Sequence, residues 1–212
     1  MSLYLSRMQI NPLSVAGMRL LESPDRVHSF ICALFEGSRE EARFLFRVDA
    51  LEGGPAVLIQ SAMPPDWARS KLAAGALRHE PETKPFDVPV EEGAALAFRL
   101  LTRPAKRAFT GAGQKDGPRR DLRTDEERLA WIRRKGESCG FRVVSCGLTL
   151  TDFPTVHAGA RGFRESGGAF TAVRFDGELG VTDAALLREA VANGIGTQKA
   201  FGFGLLSLAP VR

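Results

Sequence analysis

Three imidazoles, His28, His79 and His157, are the side chains of this sequence best suited to moving protons near neutral pH. Imidazole can take a proton from a hydroxyl and return one to a leaving oxygen, so each is a candidate for general acid–base chemistry. No Ser/His/Asp set or pair of carboxylates stands out beside them, and no dense His/Cys/Asp/Glu cluster has metal-ligand spacing. Neither a metal nor a cofactor is expected. The three cysteines, Cys32, Cys139 and Cys146, form an odd set without a CxxC pair. That argues against a zinc site or a disulfide framework and for a reducing compartment, the cytoplasm.

A second stretch with chemical character is "GIGTQKAFGFGLLSLAP", residues 194–210, in which Gly194, Gly196, Gly202 and Gly204 surround Lys199. A dinucleotide fingerprint needs strand, glycines, then helix, because the pyrophosphate rests on the helix N-terminus. Here a helix precedes the glycines and a strand follows. The Walker pattern is also absent, since Lys199 follows Gln198. Two uses remain. Glycines let the main chain approach another backbone and turn its N–H groups toward an anion. Alternatively, Gly194 caps a helix and a bulged strand follows.

Formal net charge is only +4. Between Arg99 and Lys135, however, twelve Lys/Arg face five Asp/Glu, a local balance of +7. Concentrated cationic charge on an ordinary globular composition points to a polyanion, with a merely solvated face as the alternative. Arg103, Lys106, Arg107, Lys115, Arg119, Arg120 and Arg123 form a cationic rail in the loop 102–123. Arg133, Arg134 and Lys135 end a helix, where cations are favourable with or without a ligand. No stretch approaches eighteen apolar residues, so no membrane span is expected, and "MSLYLSRMQINP" lacks the layout of a signal peptide.

The elements that would position these groups read twice in the same order. "LYLSRMQI" alternates as a strand. "SPDRVHSFICALFEG" is a helix with Ser23 as N-cap, Pro24 at its first position and Val27, Phe30, Ile31 and Leu34 as its buried stripe. His28 falls at the edge of that stripe. "RFLFRVDA" and "AVLIQSA" form a hairpin, "PPDWARSKLAAG" a short helix, and "HEPETKPFDVPVEEG" a connector with one short strand. From residue 91 the order repeats. "AALAFRLL" is a strand, "TDEERLAWIRRKG" a helix with Thr124 and Glu127 in a capping box, and "FRVVSCGLTL" and "FTAVRFDGEL" are strands. "TDAALLREAVANG" is a helix and "FGLLSLAP" the closing strand. The fold class is therefore α+β: two tandem ferredoxin-like (RRM-like) βαββαβ domains with antiparallel sheets, 1–90 and 91–212.

The glycine motif followed by LLSLAP resembles the C-terminal motif of the CRISPR repeat-processing endoribonucleases, in particular the CasE family of the type I-E system. "LYLSRMQINP", "FRLLTRPAKR" and "ERLAWIRRK" are similar to that family in the same order, so the likeness runs the whole length. It implies two ferredoxin-like domains that bind the stem-loop of the precursor CRISPR RNA repeat. It also implies metal-independent cutting at the 3′ base of the stem. There the 2′-hydroxyl attacks the adjacent phosphate and leaves a 2′,3′-cyclic phosphate. The protein would then stay on its product and join the other subunits of the Cascade complex.

On these residues the resemblance makes His28 the catalytic histidine. Some family members carry a tyrosine three positions earlier, where this chain has Asp25; its only tyrosine, Tyr4, lies in the first strand. Asp25 either orients His28 or is a helix-start carboxylate. Arg26, on the same helix, joins the rail, Lys199 and the four glycines of the loop as expected RNA contacts. So do Arg161 and Arg164, which fall where the family has a basic hairpin. Two other classes of function stay open at this point: a non-catalytic RNA-binding subunit of a ribonucleoprotein, and a general RNA-recognition module.

Overall fold

The computed structural model describes residues 3–37, 39–87, 90–107, 119–153 and 170–211. Its residues cluster into two compact units. The first comprises Met1–Pro89 with Val191–Gly194 and Gln198–Leu205; the second comprises Val90–Ala190 with Ile195–Thr197 and Leu206–Arg212. The glycine loop, expected wholly in the second domain, thus contributes Gln198–Leu205 to the first unit.

In the first unit, β1 (Leu3–Gln9) leads to α1 (Val15–Leu20), α2 (Pro24–Ala33) and α3 (Arg39–Ala42), then to β2 (Leu45–Leu51), β3 (Gly54–Ser61) and β4 (Glu82–Phe86). The strands form one antiparallel sheet in the order β2-β3-β1-β4. Register follows alternation: Met8 sits opposite Val57 and Ser6 opposite Ile59, which sends Met8, Val57 and Ile59 into the core. α2 starts as its cap signals require, the Ser23 hydroxyl accepting from the Arg26 N–H at 3.3 Å with Pro24 behind it. Val27, Ile31 and Leu34 are buried against the sheet, each contributing about 1.5–3 kcal/mol by leaving water.

Two local expectations are corrected. The sequence runs from the first strand to Ser23 without a marked helix, yet α1 forms there, capped by the Ser14 side chain on the Gly17 N–H at 3.2 Å. Conversely, "PPDWARSKLAAG" yields only a 3-10 turn at Trp67–Arg69, started by Asp66 on the Ala68 N–H and ended by extended Ser70. Trp67 and Leu72 are only partly buried, and without an apolar stripe nothing drives a longer helix.

The second unit contains β5 (Ala95–Thr102), β6 (Ala105–Arg107), β7 (Arg119–Asp121), α4 (Asp125–Ser138), β8 (Phe141–Phe153), β9 (Phe170–Val181), most of α5 (Ala184–Asn193) and β10 (Leu206–Pro210). Its sheet runs β10-β5-β9-β8, all antiparallel. Both sheets therefore have the ferredoxin-like order, in which the last strand lies beside the first. Trp131 stacks on Phe175 with ring centroids 6.1 Å apart, and fully buried Ile132, Leu179 and Leu187 complete the core beside them. The ends of the expected basic loop pair as a two-stranded ribbon, β6 with β7.

Candidate active site

The first centre is built on α2. The His28 ring is half-buried. Its centroid lies 5.3 Å from that of Phe44 and 6.4 Å from that of Phe46. One turn further along the helix, the Cys32 Sγ is 3.7 Å from Nδ1 and 4.0 Å from Nε2. Position at the edge of the apolar stripe thus gives the imidazole an aromatic floor and a thiol neighbour while part of the ring stays accessible. Phe44 immediately precedes β2 and Phe46 lies at its start; both are core residues, which fixes the floor.

The glycine loop returns to this floor. Between Gln198 and Gly202 the chain makes a 3-10 turn, Lys199–Phe201, which contacts both α2 and β2. Gly202 sits at φ +86, and a Cβ there would stand 3.0 Å from Cε2 of Phe46. A side chain is thus disfavoured twice, by backbone conformation and by space. Gly194 is similar: at φ +74, a Cβ would meet the Gly204 carbonyl and the Leu45 side chain, both at 2.9 Å. Gly196 and Gly204 also have positive φ, as does the non-glycine Gln198, at +62. Lys199 is half-buried, and loss of water around it lowers its pKa below the usual lysine value.

Residues that the sequence did not single out hold the loop in place. Arg47 is buried; it donates from Nε and Nη2 to Asp49 at 2.8 and 2.9 Å, and from Nη1 to the Leu205 carbonyl at 3.2 Å. Gln60 donates to the Val191 carbonyl at 2.7 Å. Their one sequence signal is a polar side chain inside an otherwise apolar strand. Arg26 is exposed on α2, in a surface pair with Glu22 at 3.5 Å. Asp25 lies in the first turn of α2, where a carboxylate favours the helix regardless of catalysis. His79 is exposed in the connector.

The second centre is the β6–β7 ribbon with the start of α4. Lys106 pairs with Arg120 across the ribbon and Arg107 with Arg119. Like charges directly opposite are unfavourable unless counter-charge is near. Part of that counter-charge is internal. Arg103 donates from Nε to Asp121, and Lys106 from Nζ to Glu127 at 2.7 Å. Glu127 also accepts from the Arg123 N–H at 2.9 Å; with the Lys106 bond as the larger cause, its pKa falls to about 2. Arg107, Arg119, Arg120 and Arg123 are exposed. The ends of the expected rail thus carry exposed cations, Arg103 and Lys106 being among the cations that carboxylates engage. Lys115, Arg161, Arg164 and His157 lie outside the described residues. Among the described residues no group of three His/Cys/Asp/Glu side chains is placed to hold a metal ion, and no helix is long and apolar enough to cross a membrane.

The chain matches the CRISPR associated protein family over residues 3–210. It is 33% identical to the CRISPR-associated endoribonuclease Cse3 of Thermus thermophilus, over 98% of this chain and 100% of that one. It is 29% identical to the CRISPR system Cascade subunit CasE of Escherichia coli, over 88% of this chain and 92% of that one. The structure of Thermus thermophilus Cse3 bound to an RNA representing a pre-cleavage complex superposes with a TM-score of 0.83 at 31% identity, covering 99% of this chain and all of that one. With the sheet order, the glycine loop and the likeness end to end in agreement, the chain belongs to the CRISPR associated protein family, alongside the endoribonuclease Cse3 and the Cascade subunit CasE.

Proposed function

We propose that this chain is the endoribonuclease that matures CRISPR RNA in a type I-E system. It binds the stem-loop of the precursor repeat and cleaves at the 3′ base of the stem without a metal ion. Afterwards it stays with its product as a Cascade subunit in the cytoplasm. The observation that carries the reading is the shared Phe46 ring: the His28 imidazole packs on it, and the glycine loop closes against it at Gly202. A proton-transfer group and a cationic, glycine-rich turn are thereby brought to one patch of the first unit.

The chemistry needs few parts. The ribose 2′-hydroxyl loses its proton and its oxygen attacks the neighbouring phosphorus. The bond to the 5′-oxygen breaks, and that oxygen takes up a proton. The products are a 2′,3′-cyclic phosphate and a 5′-hydroxyl. His28 serves the proton transfer because an imidazole's ordinary pKa lies near neutrality. Its aromatic floor holds the ring in place, so little ordering remains to be done when RNA arrives. Lys199 offers positive charge to the phosphate from a partly desolvated position, where that charge counts for more than in water. Arginines suit the stem because their planar forks bind phosphates bidentately while the base edges of an RNA helix stay out of reach.

A labelled cognate repeat incubated with the chain, with and without EDTA, tests this. Cleavage that survives the chelator and ends in a cyclic phosphate is the expected result. A shifted but intact band would mean a binding subunit without catalysis, and dependence on magnesium would mean another reaction class.

A further inference from the structure

An open cavity of about 740 Å³ lies where the β6–β7 ribbon meets the first turn of α4. Its wall includes Arg103, Lys106, Arg120 and Arg123, with Arg128 and Thr171. Among the described lining residues five cations face two carboxylates, Asp121 and Glu127, and Asp125 pairs with Arg128 beside them.

Arg128 is the unusual member. Its side chain is 8% exposed. Nη1 donates to Asp125 at 2.8 Å, while Nε is buried without a hydrogen-bond partner among the described residues. A buried donor on a charged group is costly to leave unmet. At the start of α4 the Thr124 and Glu127 amides are already met by the capping box, so these two do not call for an anion. The attraction comes from side chains, and the facing Lys106 and Arg120 raise it further.

We propose that this cavity is a seat for one backbone phosphate of the bound RNA, with Arg128 at its base and the ribbon cations on its rim. Sequence position alone makes Arg128 an ordinary residue in the first turn of a helix. Burial, the unmet Nε and the cationic wall make it a ligand. A seat of this kind fixes one phosphate and therefore the register of the strand, whereas an exposed rail attracts any phosphate. The inference rests on the RNA-binding reading above.

The test is a set of repeat hairpins in which single phosphates are replaced, one at a time, by uncharged methylphosphonates. Wild-type chain should show one position whose neutralisation weakens binding about tenfold beyond the rest. Arg128→Gln should weaken the unmodified hairpin by a similar factor, lower the salt slope by about one phosphate contact, and make that position no worse than its neighbours. If Arg128→Gln melts early, Arg128→Lys keeps the charge without the planar fork and carries the same test. Either folded variant retaining both wild-type affinity and the single-position penalty overturns the seat. Wild-type chain that ignores the hairpin altogether sinks the functional reading instead, so the two failures can be told apart.

Discussion

The thiol of Cys32 stands 3.7 Å from Nδ1 of His28, one helical turn further along α2. Residues four apart on a helix share a face, so the chain places a soft polar group beside the imidazole from within the same element. The rings of Phe44 and Phe46 limit how far that imidazole can tilt. Sγ lies at similar distances from both ring nitrogens, 3.7 Å from Nδ1 and 4.0 Å from Nε2. On the proposed function, Cys32 is thus a neighbour that bears on how the catalytic ring is held.

His28→Ala is expected to lose about 10²–10⁴-fold in single-turnover cleavage while binding the repeat hairpin within about threefold of wild type. Cys32→Ala should lower cleavage by about two- to tenfold, the worth of one modest hydrogen bond, and alter the pH–rate profile. Cys32→Ser should recover most of both, because the hydroxyl can make the same contact. Equal cleavage by His28→Ala, or one pH profile for all three chains, would remove the respective residue from the mechanism.

Gly202 and Gly75 offer a controlled comparison, since both have positive φ. A Cβ at Gly202 would press on Phe46 at 3.0 Å, while one at Gly75 would meet nothing within 4 Å. Alanine at either site bears the conformational cost of about 1–2 kcal/mol. Only at Gly202 does it also push on the ring that supports His28. Thermal melting should show Gly202→Ala as the less stable variant, and cleavage should fall further than hairpin affinity in it alone. Cleavage falling equally in both would mean that backbone strain, and not the shared ring, matters.

Arg47→Met should be among the most damaging changes in the first unit. The Arg47 and Asp49 side chains are 3% and 10% exposed, and the Leu205 carbonyl accepts from the same guanidinium. Removing it leaves a carboxylate unpaired in a largely dry site, a loss of about 3–5 kcal/mol. Denaturant unfolding measures this directly. The double variant Arg47→Met, Asp49→Leu should recover much of it, because the stranded charge is gone.

How far the site can be read from sequence depends on the range of its contacts. α2 and His28 are legible because Ser23, Pro24 and the Val27/Ile31/Leu34 stripe act within a few residues of one another. The capping box of α4 is legible for the same reason. Glycine content marks the loop at 194–204, but not where the loop goes. The contacts that settle this join positions 158 and 131 residues apart, Arg47 to Leu205 and Gln60 to Val191. No local period encodes them. The missing second helix of the first unit and the unforeseen α1 fail differently: both are short, and at that length packing outweighs propensity. Arg128 escaped notice because helix spacing does not distinguish a surface arginine from one folded under a ribbon.

Glu127 ties two of these readings together. Its carboxylate caps α4 and holds Lys106, and the Lys106 bond leads in lowering its pKa from 4.5 to about 2. A carboxyl whose pKa is depressed by folding adds stability above its unfolded value, and that contribution is lost as pH falls through the folded value. Glu127→Gln keeps the capping hydrogen bond, since glutamine serves at that position too, and removes the charge. At neutral pH the variant should melt earlier than wild type. The difference should begin to shrink below about pH 4.5 and be gone near pH 2. Released from its partner, Lys106 should also bind RNA more freely, so Glu127→Gln should bind the hairpin more tightly at low salt, with a steeper salt dependence. Unchanged salt dependence would mean that Lys106 faces the carboxylate for stability only and makes no contact with RNA.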